Sequence, residues 1–146
     1  MSRSSRVLAG ALLIVFPSVI AGGTSLLYML TNEPEYAANP LRQDLWRAGH
    51  AHAGVLLLLA LLVLRYVDEA RLSPGWKWLV RLATPVAAIL LPVAYFLSML
   101  SPDATEPSGV INLAYLGAAI LALGLFVLGI GLVRAGGEEE QRDRGM

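Results

Sequence analysis

The chain has 146 residues, 56% of them hydrophobic and only 15% charged, with a formal net charge of zero. A soluble domain usually carries about 25% charged residues, so most of this surface is not built for water. Dispersed, balanced charge leaves no basic face for nucleic acid. The absence of cysteine removes disulfides, thiolate metal sites, iron–sulfur clusters and cysteine nucleophiles together.

Arg3 and Arg6 open the chain, and Val7 to Leu30 follow without a charge. A bilayer core takes roughly 20 helical residues, so this run is long enough to span. A signal peptide cleaved after Val19-Ile20-Ala21 is the competing reading, disfavoured because the apolar run continues past Ala21. Pro17 predicts a kink, and Gly22-Gly23 thins the helix where a neighbour can approach. Thr31 to Gln43 reads as a polar loop, with Pro34 and Pro40 stopping both flanking helices. A second helix is expected from Asp44 to Tyr66, then a charged connector with the turn signal Ser73-Pro74-Gly75. Trp78 to Leu100 is the third span, with Arg81 at its edge and Pro85 and Pro92 inside. A polar loop from Ser101 to Ser108 leads to the fourth, Gly109 to Val133. The expectation is an all-α integral membrane protein: a four-helix domain over 1–133, with spans near 7–30, 46–66, 78–100 and 109–133. Residues 134–146, with Glu138-Glu139-Glu140, read as a polar, mobile tail.

Nine of the eleven Lys and Arg residues fall at the N-terminus, in the middle connector or in the tail. Arg42 and Arg47 alone fall elsewhere. The positive-inside rule then puts both termini in the cytoplasm of a plasma-membrane protein, with Trp76 and Trp78 at the inner interface and Trp46 at the outer. That orientation gathers polar groups in the outer third: Thr24, Ser25 and Tyr28, His50 and His52, Tyr95 and Ser98, Asn112 and Tyr115. Polar side chains in hydrocarbon normally face a bundle interior, so one outward pocket shared by four helices is expected. The alternative is that tyrosines sit at the interface and hydroxyls bond their own helix.

The stretch Leu45-Trp46-Arg47-Ala48-Gly49-His50-Ala51-His52-Ala53-Gly54 holds both histidines. Successive helical residues turn by about 100°, so His50 and His52 point about 200° apart and cannot chelate one ion as a pair on a regular helix. Gln43, Arg47, His50 and Gly54 share one stripe, with Gly54 leaving room for a flat or bulky group. His52 shares a different stripe with Leu56 and Leu59. Gly49 and Ala53 suit close helix contact. A metal ion (Cu, Zn or Fe) could take His50 and His52 with carboxylates from Glu33 and Glu35 folded over them. Asp44 is more simply the partner of Arg47. The bland reading is that both histidines are hydrogen-bonding anchors at the water boundary.

Arg47-Ala48-Gly49-His50-Ala51-His52-Ala53-Gly54 resembles the start of helix two in the catalytic subunit of haem–copper oxidases, especially the cbb3-like branch. It is also similar to a His-x-His in small uncharacterised four-span membrane proteins. The resemblance implies His50 or His52 as an axial ligand of a b-type haem; the expected pocket would add Arg47, Tyr95 and Asn112 to a cofactor site. This chain has no third histidine, so it cannot be such an oxidase alone, and a bis-histidine haem would need two copies or another second ligand.

Arg47 with His50 could hold an anionic substrate group. No nucleophile–base set, phosphate loop or dinucleotide fingerprint accompanies them. No span carries a mid-membrane charge for a coupling relay, and none a polar stripe for a pore. In the fourth span Gly117, Gly124 and Gly131 recur every seventh residue, a small-residue seam for the bundle or for a homo-oligomer. The expectation is a pocket binding haem b or a transition metal for electron transfer or metal handling. The alternatives are a cofactor-free accessory subunit of a larger membrane complex and a small dimeric transporter.

Overall fold

A computed structural model describes residues 1–144, with backbone alone for 138–143. Its helices are α1 (Arg3–Asn32), α2 (Pro34–Ala37), α3 (Pro40–Tyr66), α4 (Pro74–Ser98) and α5 (Leu113–Arg144), with a 3-10 turn at Gly109–Asn112 before the last. Four of them, α1, α3, α4 and α5, are long and apolar enough to cross a membrane. There is no strand among the described residues.

The proline-marked segment is more ordered than the sequence suggests. Pro34 and Pro40 do not merely stop helices; each sits in the first turn of one, where its missing N–H and fixed φ cost nothing. Asn39 caps α3, its side chain accepting from the Arg42 N–H at 3.0 Å. It also donates to the carbonyls of Pro102 and Ala104, tying this corner to the α4–α5 loop. At the other extreme, α5 runs through Arg144, so the segment expected to be a mobile tail begins as helix. The Glu138-Glu139-Glu140 side chains and residues 145–146 lie outside the described residues.

The helices stand in the order α1, α3, α4, α5 across the assembly. The central member is α4, which buries Val80, Thr84, Ala87, Leu91, Ala94 and Ser98 at alternating three- and four-residue spacing. One core cluster joins Leu56 and Leu57 of α3 to Ala87, Ala88 and Leu91, with Leu12, Phe16 and Val19 of α1 laid against it. A second joins Val63, Val67 and Ala70 to Val80 and Leu128. The α5 seam is used within the chain. A Cβ on Gly117 would overlap Leu91, one on Gly124 would overlap Ala83, and one on Gly131 would lie 2.7 Å from Leu72. Of the two uses that the sequence left open for Gly117, Gly124 and Gly131, the contacts within the chain are those of the bundle: α4 and the connector lie on that face.

Arg81 is no edge charge. It is 7% exposed and reaches across the end of the assembly that holds the N-terminus. Its Nη2 donates to Asp68 Oδ1 at 2.6 Å and its Nε to Ser5 Oγ at 3.1 Å. The Ser2 backbone N–H donates to the other Asp68 oxygen at 2.6 Å. Lys77 Nζ donates to the Asp68 carbonyl at 2.9 Å. Burial by itself would raise the Asp68 carboxyl, but the bonds from Ser2, Arg81 and Ser5 outweigh it and hold the group down at about 2. One ion pair thus fastens α1, the α3–α4 connector and α4 together.

Candidate functional site

The site sits at the opposite end, where α1, α2 and α3 meet. Gln43 of α3 donates through Nε2 to the carbonyls of Tyr36 and Ala37, at 3.1 and 2.9 Å. This anchors the one-turn α2, too short to be stable by itself, against the larger helix. Tyr36 is 3% exposed, its ring centroid 5.6 Å from that of Trp46. Trp46 donates its indole N–H to the Phe96 carbonyl at 3.1 Å, and the Arg42 guanidinium lies over it at 4.2 Å from the ring centroid. Burial pushes the Tyr36 hydroxyl up, against the pull of Arg47 and Arg42. It therefore remains a proton donor at neutral pH.

His50 is placed by two glycines of α1. A Cβ on Gly23 would fall 2.9 Å from its Nε2 and 3.0 Å from its Cε1, and one on Gly22 would fall 3.8 Å from its Nδ1. The missing Cβ atoms let the ring lie against the α1 backbone. Beside it opens a cavity of about 240 Å³. Leu26, Leu27 and Leu30 form its apolar wall, and Tyr36, Gln43, Arg47 and His50 its polar end. Arg47 is half-exposed and pairs with Asp44 at 2.7 Å. His50 has no hydrogen-bond partner among the described residues. The polar end offers chiefly donors: a phenol, a guanidinium and an imidazole N–H.

The structure separates several residues that the sequence grouped. His52 turns to α4, its ring centroid 5.2 Å from that of Tyr95, and its Nδ1 donates to the Ala48 carbonyl at 2.7 Å. Tyr95 therefore belongs with His52 and does not line the His50 cavity. Asn112 is exposed on the 3-10 turn and donates to the Gly109 carbonyl. Glu33 is exposed at the α1–α2 junction, and Glu35 lines a different groove with Asn39 and Asp103. Among the described residues no three His, Cys, Asp or Glu side chains gather as a metal-holding group. The outward pocket shared by four helices is likewise corrected. Thr24 and Ser25 bond the Ala21 carbonyl of their own helix, and Tyr28 and Tyr115 are 60% and 74% exposed. The cavity that exists belongs to α1, α2 and α3.

The edge of the His50 ring that carries Nε2 faces α1, 2.9 Å from where a Cβ of Gly23 would stand. Gly54 gives its space to α1, with an added Cβ 3.7 Å from Val19. Gly49 serves close packing as expected, against Phe96 and Tyr95. Sequence reasoning overlooked Tyr36; the available signal was an aromatic residue between two helix-starting prolines, ten positions before a tryptophan. No protein family, characterised protein or solved structure matches this chain.

Proposed function

We propose that the protein is a multi-pass plasma-membrane protein with both termini in the cytoplasm. Its α1–α2–α3 cavity binds an amphipathic anion, a carboxylate head on an apolar tail. The supporting observation is that His50, unpartnered among the described residues, shares a cavity with Arg47 and a leucine wall. A charged ligand head that accepts from His50, Arg47 and Tyr36 adds hydrogen bonds worth about 1.5–3 kcal/mol each, and its tail covers Leu26, Leu27 and Leu30. The distribution of Lys and Arg supports the orientation.

The test is equilibrium binding of radiolabelled dodecanoate to the delipidated full chain in nanodiscs. Arg47→Gln and His50→Ala are each expected to weaken binding about tenfold, the worth of one charge-assisted hydrogen bond. Dodecanol, with the same tail and no charge, should bind at least about tenfold more weakly. Equal affinity for the acid and the alcohol, or wild-type affinity in both variants, refutes the reading.

His52 supports a second reading, in which the cofactor survives. Because Nδ1–H is donated to a carbonyl, Nε2 carries the lone pair, the tautomer that metal-ligating histidines adopt. Two copies, each giving one His52, would supply a bis-imidazole site. An absorption spectrum and metal analysis of the purified protein decide this. A Soret band lost in His52→Ala sustains it, and a colourless, metal-free folded preparation removes it.

A further inference from the structure

The α1–α2–α3 cavity holds an acceptor as well as donors. Gln43 commits both amide hydrogens to α2, donating to the Tyr36 and Ala37 carbonyls at 3.1 and 2.9 Å. Two carbonyl oxygens at such distances fix that end of the amide as the nitrogen. Oε1 is then the polar atom that Gln43 has left for the cavity it lines, and it accepts no bond among the described residues. Tyr36, 3% exposed, lines the same cavity, and its hydroxyl has no hydrogen-bond partner among the described residues either. Neither atom is sealed away: among the described residues Arg42 Nε is the only buried side-chain polar atom left without a partner. The cavity thus presents a free acceptor on α3 and a free donor on α2. Arg47 and His50 follow Gln43 on α3 by four and seven residues, about 6 and about 10 Å along the axis. Arg47 keeps its Asp44 pair through Nη2 and has other N–H groups to give.

We infer that the ligand of this cavity is an N-acyl amino acid, a fatty acyl chain joined to its carboxylate through a secondary amide. The assignment rests on the carboxylate reading above and narrows it. Arg47 and His50 donate to the carboxylate. The amide sits toward α2, its carbonyl accepting from the Tyr36 hydroxyl and its N–H donating to Gln43 Oε1. A trans amide points its donor and its acceptor to opposite sides, so it meets groups from two different elements at once. A plain fatty acid brings no donor for Gln43 and leaves Oε1 facing methylenes, a polar group unsatisfied. The acyl chain lies on the leucine wall and leaves past Leu27 and Leu30, which are 62% and 42% exposed.

The test compares N-dodecanoylglycine with dodecanoyloxyacetate, in which an ester oxygen replaces the amide N–H, on the delipidated full chain in nanodiscs. Wild type should bind the amide about fivefold more tightly, the worth of one neutral hydrogen bond. Gln43→Lys, whose ammonium can still donate to the two α2 carbonyls but which brings no acceptor, should bind the two equally. Tyr36→Phe should weaken both about fivefold and leave their ratio unchanged, since each ligand keeps its carbonyl. The ratio is taken within one protein, so a general loss of affinity does not move it, and melting curves confirm that each variant is folded. Equal binding of amide and ester by wild type, or the wild-type ratio in Gln43→Lys, overturns the assignment. So does tighter binding of β-hydroxydodecanoate, whose donor is a hydroxyl. If dodecanoate still binds with the expected dependence on Arg47 and His50, the carboxylate cavity stands and the amide alone falls. If neither dodecanoate nor N-dodecanoylglycine binds, both readings fall.

Discussion

Asp68→Ala is expected to release the N-terminal end of α1 and to cost the fold about 3–5 kcal/mol, the usual penalty for stranding one half of a buried ion pair. Arg81 is 7% exposed, and its remaining partners, the hydroxyls of Ser5 and Ser2, cannot neutralise a guanidinium. The Ser2 N–H loses its acceptor at the same stroke. Denaturant unfolding in mixed micelles measures the loss. Arg81→Met added to Asp68→Ala should recover much of it, since the double variant leaves no bare charge; strictly additive losses would argue against the pair. The pH dependence has a definite sign. Asp68 titrates near 3.8 when free and near 2 in the fold, so its contribution is complete above the higher value and vanishes as pH falls through the lower. Wild type should therefore lose on the order of 2 kcal/mol between pH 4 and 2, and Asp68→Ala should show no such step.

Gly124→Leu is the second large effect, about 3 kcal/mol or more. A Cβ there already overlaps that of Ala83, and both lie on long helices that can separate only by opening the α4–α5 seam. Gly129→Leu is the control: it is on the same helix, two residues from the next seam position, and nothing lies within 4 Å of its added Cβ. Stability of the folded monomer should fall for the first and hold for the second. A change in oligomer size with unchanged monomer stability in Gly124→Leu would instead restore the seam as an intermolecular contact.

The features legible in the sequence are those that act over one or two helical turns. Uncharged runs long enough to cross a bilayer appear as the four long helices. The angular divergence of His50 and His52 appears as contacts with α1 and α4 respectively. Gly22-Gly23 appears as a place where something approaches, and that something is His50. Features made by distant residues were not legible. Arg81 and Ser5 are 76 positions apart and Ser2 and Asp68 are 66 apart, and no local pattern marks such a meeting. The segment around Pro34 and Pro40 was misread for a different reason: proline ends one helix and begins the next with equal ease. The outward pocket failed because hydroxyls on α1 satisfied themselves locally, on carbonyls three or four residues back.

The uneven burial of the helices bears on the order in which the molecule is assembled. Half of the apolar stretch of α4 is buried, against none of that of α1. During synthesis α1 emerges before any of its partners, so on the proposed membrane insertion its whole circumference is first solvated by acyl chains. α3 gives it a shallow first contact at His50 and Val19, and only when Arg81 follows can Ser5 and Asp68 be locked together. On the proposed orientation, the side on which α1 starts is held first by its own arginines and then by the Arg81–Ser2 bond some eighty residues downstream. A ribosome stalled before α4 has left the tunnel should carry an α1 that is inserted but not docked.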